Sequence, residues 1–135
     1  NSNCFVVPPM KFATESCQVM EACIEAGMPI LLLSAGQSGA TAPAPIAGAI
    51  VQAVAECLAG LVYVHSIKPG HPCIFGTWPF VSDLRTGAMS GGSGEQALLT
   101  AGCAQMHSVS NSSHAPLPGI IFPIKTSLSE VLSIS

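Results

Sequence analysis

Apolar and polar positions fall along this chain in blocks of two lengths. Pro29 to Leu33 is a short, unbroken apolar run between Gly27 and a Gly-rich turn, and Cys73-Ile-Phe-Gly76 is a second. Such runs predict strands covered on both faces, as in a parallel sheet. Longer segments surround them. Thr14 offers an N-cap, Glu15 lies in the first turn, and Cys17, Met20, Ala22 and Ile24 supply apolar positions in a helix that Gly27 stops. Glu21 and Glu25, four apart, mark its solvated side. Ile46 to Val64 is a long helix rich in Ala and Gly, with Pro45 in its first turn and small residues that let it sit close against a sheet. Lys68 to Pro72 turns the chain. A further helix is expected from Gly94 or Glu95 to Met106, with Ala97, Leu98, Ala101 and Ala104 on its apolar side. Asn1 to Phe12, with Pro8-Pro9, reads as irregular. Strands alternating with helices predict parallel βα units with a right-handed crossover.

Two polar stretches interrupt this pattern, each after a predicted strand. Ser34 to Thr41 contains Gly36 and Gly39, and its default role is to turn the backbone, with Gln37, Ser38 and Thr41 as candidate ligand contacts. It lacks the ending of a P-loop and the glycine spacing of a dinucleotide site. Phe75 to Gln96 holds the only Trp, the only Asp and the only Arg of the chain, together with a glycine cluster. A long connection of this kind is either a functional loop or a misread one, because structureless connections of this length are uncommon in compact domains, and it is taken as the candidate active-site loop.

Composition narrows the partners. The chain is 49% hydrophobic and only 8% charged, where an average soluble domain has about a quarter of its residues charged. So few surface charges point to interior elements of a larger protein or to a membrane segment. Ile46 to Ile67 is about long enough to cross a bilayer, but Gln52 and Glu56 sit in its middle and no basic cluster flanks it. A carboxylate there is costly, so a buried soluble helix is preferred and no membrane partner is expected. With a net charge of −3 and no basic stripe, nucleic acid is not an expected partner. Cys4, Cys17, Cys23, Cys57, Cys73 and Cys103 form no Cys-x-x-Cys pair and lie mostly among apolar neighbours. They read as reduced core thiols of a cytoplasmic protein, and no metal site is expected. No secretory signal is visible. His65 and His71 flank a turn and make no convincing site, and Glu56 reads as a helix residue paired with a neighbouring element.

Gly36-Gln-Ser-Gly-Ala-Thr-Ala-Pro43, Ala47-Gly-Ala49, Ala55-Glu56, Leu58-Ala-Gly60 and above all Gly76-Thr-Trp-Pro-Phe-Val-Ser-Asp-Leu-Arg-Thr-Gly-Ala-Met-Ser-Gly-Gly-Ser-Gly-Glu95 resemble the trimethylamine methyltransferase family. The resemblance runs from about Val7 to Met106, and its second block is the specific one. It implies an α/β fold, here a fragment of a TIM (β/α)8 barrel of about two parallel βα units. The implied activity is transfer of a methyl group from a methylated amine, such as trimethylamine or a betaine, to a corrinoid (cobalamin) carried by a separate protein. Both Gly-rich loops would then lie at strand ends, where such barrels build their sites. Substrate contacts are expected from Gln37, Thr41, Thr77, Trp78, Phe80, Asp83 and Arg85. Trp78 and Phe80 would offer aromatic faces to a quaternary ammonium, the alternative being that both are packing residues. Asp83 and Arg85 are either a pair orienting the loop or a contact for a substrate carboxylate. Ser90, Gly91, Gly92 and Ser93 would cap the following helix or bind an anionic group. No catalytic acid or base is assigned, since methyl transfer from an ammonium calls mainly for positioning. A homo-oligomer is left open.

Beyond Met106 the text becomes Ser-rich and loses the family's continuation, so residues 1–106 read as a partial barrel domain and 107–135 as a divergent tail, from a linker or a frameshift. Ile120 to Ile124 and a weak helix over Ser127 to Leu132 are its only patterned pieces. An alternative of a different class is a non-catalytic remnant or small α/β binding module that keeps the loops without the chemistry.

Overall fold

The computed structural model describes residues 2–113 and 120–121. A parallel sheet carries the fold. Its strands are β1 (Ser2–Val6), β2 (Ile30–Ser34), β4 (Cys73–Thr77) and β7 (Ile120–Ile121), adjacent in that order and all parallel. Between β2 and the helix after it lies the short β3 (Gln37–Ser38), and β5 (Phe80–Ser82) and β6 (Met89–Ser90) follow β4. Helices α1 (Thr14–Glu25), α2 (Ile46–Ile67) and α3 (Gly94–Ser113) make the three crossovers.

Three of these observations correct the reading from sequence. The first strand lies inside the segment read as irregular: Ser2, Asn3, Cys4, Phe5 and Val6 pair in register with Ile30 to Ser34. With it the chain holds three βα units and a fourth strand, where about two units are expected. The strand escaped notice because its apolar run is cut short by Pro8-Pro9, and only its partner identifies it. Thr14 is the first residue of α1; Ala13 is the N-cap and gives no side-chain bond, and Pro45 likewise is the N-cap of α2. Gly27, at φ +68, does close α1 as expected. Finally, α3 continues past Met106 to Ser113. Residues 122–124 and the helix expected over Ser127 to Leu132 lie outside the described residues.

In-register pairing puts residues of three strands on common rows. Cys4, Leu32 and Phe75 form one row, and Val6, Ser34 and Thr77 the next. These rows face the helices. Cys4, Ile30, Leu32 and Cys73 pack with Met20, Cys23 and Ile24 of α1 and Leu61 and Val64 of α2, while Phe75 meets Val54 and Cys57. The closeness of α2 to the sheet depends on its small residues, as the composition predicts: Ala49 and Ala53 are buried, and a Cβ on Gly60 would stand 2.9 Å from Leu32 Cδ2. The opposite face of the sheet is also apolar, but Phe5 and Val7 are exposed and Leu31, Leu33 and Ile74 only half-buried. Among the described residues the sheet therefore has helices on one face and an exposed to half-buried apolar surface on the other.

Candidate functional site

Parallel strands of this kind all point their carboxyl ends the same way, so the connections after β1, β2 and β4 gather at one edge. The two Gly-rich stretches are joined there by a second sheet. Gln37 and Ser38 of β3 pair in parallel with Phe80 and Val81 of β5, and Val81 and Ser82 pair antiparallel with Ser90 and Met89 of β6. Backbone bonds continue the join: Trp78 N–H donates to Ser34 O at 2.8 Å and Phe80 N–H to Gly36 O at 2.9 Å. The stretch from Phe75 to Gln96 is thus a strand extension and a hairpin, and not a structureless loop. Its length leaves room for a turn at Asp83 to Gly87, where Gly87 takes φ +72.

Several of the predicted contact residues are engaged within this assembly. Gln37 donates through Nε2 to Ser82 Oγ at 3.1 Å, and its N–H donates to Thr41 Oγ1 at 2.9 Å. Ser38, buried, donates to the carbonyls of Pro43 and Ala44. Thr77 lies half-buried on the helix-facing row, level with Ser34. Asp83 Oδ1 accepts from the Arg85 N–H at 2.9 Å, the main cause holding its carboxyl below the usual carboxylate range. The Arg85 guanidinium approaches that carboxylate only to 3.8 Å and is 93% exposed, so its fork faces water. Ser93 caps α3, its Oγ accepting from Gln96 N–H at 3.2 Å, while Gln96 Oε1 accepts from Gly92 N–H at 2.6 Å. This is a variant of the capping box in which the return bond is made to Gly92, one residue before Ser93, and it leaves the Gly92 amide already partnered.

Trp78 and Phe80 are brought together. Two residues apart on an extended segment, their rings lie with centroids 5.3 Å apart and planes tilted by 40°, and Trp78 is 55% exposed. The rings make a tilted aromatic contact at a centroid distance usual for such pairs, open to solvent at the strand ends.

The residue that holds this edge together was seen from sequence only as a helix residue paired with a neighbour. Glu56 of α2 is 1% exposed. Its Oε2 accepts from the Ser34 hydroxyl at 2.6 Å, and its Oε1 from Met10 N–H at 2.8 Å and Gln52 Nε2 at 3.0 Å. Gln52 also donates to Thr41 O at 2.8 Å. One carboxylate therefore ties the connection after β1, the end of β2 and, through Gln52, the connection after β2. Met10 and Ser34 carried no sequence signal, because the first belongs to a segment read as irregular and the second is one Ser in a polar loop.

The thiols are structural, as composition suggests. Burial pushes Cys57 up to about 12, and its Sγ lies 3.0 Å from Gly76 O; burial likewise raises Cys73 to about 11. All six cysteines are free. Among the described residues no group of His, Cys, Asp and Glu gathers in a way that could hold a metal ion. His71 is buried at the opposite end of the sheet, with Nε2 2.9 Å from Met28 O.

The same segments that build this edge match known proteins. A sequence model described as "Trimethylamine methyltransferase (MTTB)" fits residues 1–111. The chain belongs to the trimethylamine methyltransferase family. It is 38% identical over 98 residues to a glycine betaine methyltransferase of Desulfitobacterium hafniense, a match covering 73% of this chain and 20% of that protein. A proline betaine:corrinoid methyltransferase of Eubacterium limosum is 31% identical over 117 residues, covering 87% of this chain and 23% of the relative. A trimethylamine methyltransferase of Methanosarcina mazei is 33% identical over 98 residues, covering 73% and 20%. The chain spans about a fifth of the length of these curated relatives.

Proposed function

We propose that this chain forms one arc of a TIM (β/α)8 barrel methyltransferase and supplies part of its substrate face, where a methylated amine gives up a methyl group to a corrinoid carried by a partner protein. Sequential parallel strands, helices confined to one face and an uncovered apolar row of Phe5, Val7, Leu31 and Leu33 support the barrel, whose interior is filled by such side chains. The observation that carries the functional reading is the aromatic pair, Trp78 and Phe80, fixed at the carboxyl ends of the strands by the β3–β5 pairing.

A quaternary ammonium has no hydrogen to donate, so a site recognises it through desolvation and the negative faces of aromatic rings. Trp78 and Phe80 supply one such wall. For a betaine, Arg85 is the residue of this edge with an unfilled planar fork for the carboxylate. In the reaction a C–N bond breaks with its electron pair staying on nitrogen, and the methyl passes to the reduced cobalt, which supplies the nucleophile. No proton moves at that step, so the work of these residues is holding the cation in line and excluding water. Other walls of the site would come from the remaining four-fifths of a protein like the relatives.

The single Trp makes the reading measurable. Tetramethylammonium and glycine betaine should quench Trp78 fluorescence saturably in the protein. By calorimetry, Trp78→Leu should weaken both ligands by about 0.5–2 kcal/mol, roughly 2- to 30-fold, whereas Arg85→Ala should weaken glycine betaine alone. Equal affinities in wild type and Trp78→Leu would remove the aromatic wall. Mixing the protein with a methylated amine and reduced corrinoid protein then tests the transfer itself; binding without any methyl transfer would favour the binding-module reading over the enzyme.

A further inference from the structure

The second sheet continues the first. Ile30 to Ser34 pair with Cys73 to Thr77, and Gln37 and Ser38 pair with Phe80 and Val81, at the same offset in sequence throughout. The two backbone bonds between these pairings, Trp78 N–H to Ser34 O and Phe80 N–H to Gly36 O, carry that register across the gap. Ala35 therefore stands directly beside Trp78, and partners in a parallel register share a face of the sheet. Alternation decides which face. Ile30, Leu32, Ser34, Gly36 and Ser38 are all buried on the helix side, whereas Leu31, Leu33, Ala35 and Gln37 are half-buried on the open side.

Two positions on the open side are small. Bulky branched residues dominate the interior of a barrel, and Leu31, Leu33 and Ile74 conform where Ala35 and Gly76 do not. Gly76 is accounted for by its neighbours: a Cβ there would stand 3.0 Å from Leu33 Cδ1 and 3.2 Å from Leu31 Cδ1, so both leucines lean over β4 and close the space beneath Trp78. Helix packing does not account for Ala35, because the close approach of α2, which needs Ala49, Ala53 and Gly60, is made on the other face. Its short side chain leaves a notch. Val7, one step past the Val6–Ser34 pair, borders it on the β1 side and Trp78 on the β4 side, with Leu33 below and Gln37 and Phe80 above. Neighbouring strands lie about 4.8 Å apart, so Val7 and Trp78 stand roughly 10 Å apart across a single methyl group. The walls carry no charge and include the aromatic pair, a combination that holds a desolvated ammonium.

We propose that Ala35 is a specificity-determining residue: the N-methyl groups of the substrate cation seat over it, between Val7 and Trp78, and its size limits the groups on nitrogen to methyl. The proposal rests on the reading of Trp78 and Phe80 as an ammonium wall. An open wall alone would favour the larger and more apolar cation, whereas a notch favours the smaller. By calorimetry the protein should therefore bind tetramethylammonium at least about tenfold more tightly than tetraethylammonium, and A35L should weaken tetramethylammonium by a similar factor. The unfolding midpoint of A35L should stay near that of the wild type, because the added side chain faces the open side. A35V, which adds less bulk, should fall between, and A35G should retain tetramethylammonium while narrowing its advantage over tetraethylammonium. Tetraethylammonium bound by the wild type as tightly as tetramethylammonium, or tetramethylammonium bound equally by the wild type and by folded A35L or A35V, would overturn the notch, while weaker binding by Trp78→Leu would still uphold the aromatic wall. Absence of tetramethylammonium binding, or no change in Trp78→Leu, would overturn the wall and the notch together.

Discussion

Glu56→Ala should destabilise the protein by about 3 kcal/mol and loosen the edge that carries the aromatic pair. The carboxylate accepts from Ser34, Met10 and Gln52 while only 1% exposed. Removing it strands a buried hydroxyl and a backbone N–H, each costing about 1–3 kcal/mol when left unpaired, and the bonds lost were charge-assisted. Gln52 is not stranded, because it keeps its bond to Thr41 O, and Met10 is exposed enough for water to reach its N–H, which is why the expected figure sits below the sum. Glu56→Gln should cost less, since the amide keeps one acceptor, though its NH2 must then meet a donor. Urea denaturation with unchanged slope measures both. The local consequence is separable: amide exchange at Gln37, Thr41 and Met10 should accelerate more than at Ile30 or Leu32 in the sheet. A loss under about 1 kcal/mol in Glu56→Ala would show that water replaces the carboxylate and that the hub is not structural.

The second large effect lies beneath that edge. Leu32→Ala should cost about 3–4 kcal/mol. Leu32 is 1% exposed at the centre of the helix-facing rows, among residues of β1, β2, β4, α1 and α2. The space it leaves is bordered by Gly60, whose missing Cβ already brings α2 close; the helix has no side chain there to swing in and fill the void. A cavity that cannot collapse gives the upper part of the range for this substitution. The midpoint of thermal or urea unfolding checks it. A loss below about 1.5 kcal/mol would mean that α2 settles onto the sheet and that Gly60 does not hold the spacing. Ligand affinity at Trp78 should change little at temperatures where the variant is folded, which separates this effect from that of Glu56→Ala.

Legibility from sequence followed the range of the interactions concerned. β2, β4 and all three helices were visible, because each states itself within a dozen residues through an apolar run, a helical period or a terminating Gly. β1 was not, since a five-residue strand cut off by Pro8-Pro9 looks like any irregular terminus until Ile30 to Ser34 lie beside it. The hairpin in Phe75 to Gln96 was hidden for a similar reason: β5 is three residues long and β6 two, and β5, to which β6 pairs, is itself paired with Gln37 and Ser38, more than forty positions away. Trp78 and Phe80 were expected together only because the family resemblance put their loop at the strand ends; the extended backbone between them is what sets their rings on one side.

By itself, then, the sequence determined the class of fold, the family and the stretch where polar chemistry concentrates, because periodicity, turn residues and the long motif from Gly76 to Glu95 are local and survive without a structure. Which polar groups are spent on holding the edge was decided only in three dimensions. Gln37, Ser38, Thr41 and Asp83 look alike in a string of letters, yet Gln37 reaches across to Ser82 and the other three close their own turns, while Arg85 keeps its guanidinium in water. Glu56 shows the same physics most plainly. A lone Glu in an apolar helix is a liability in sequence, and it becomes a junction only when Ser34, Met10 and Gln52 converge on it, since a buried carboxylate is tolerated where donors from several elements meet it at once.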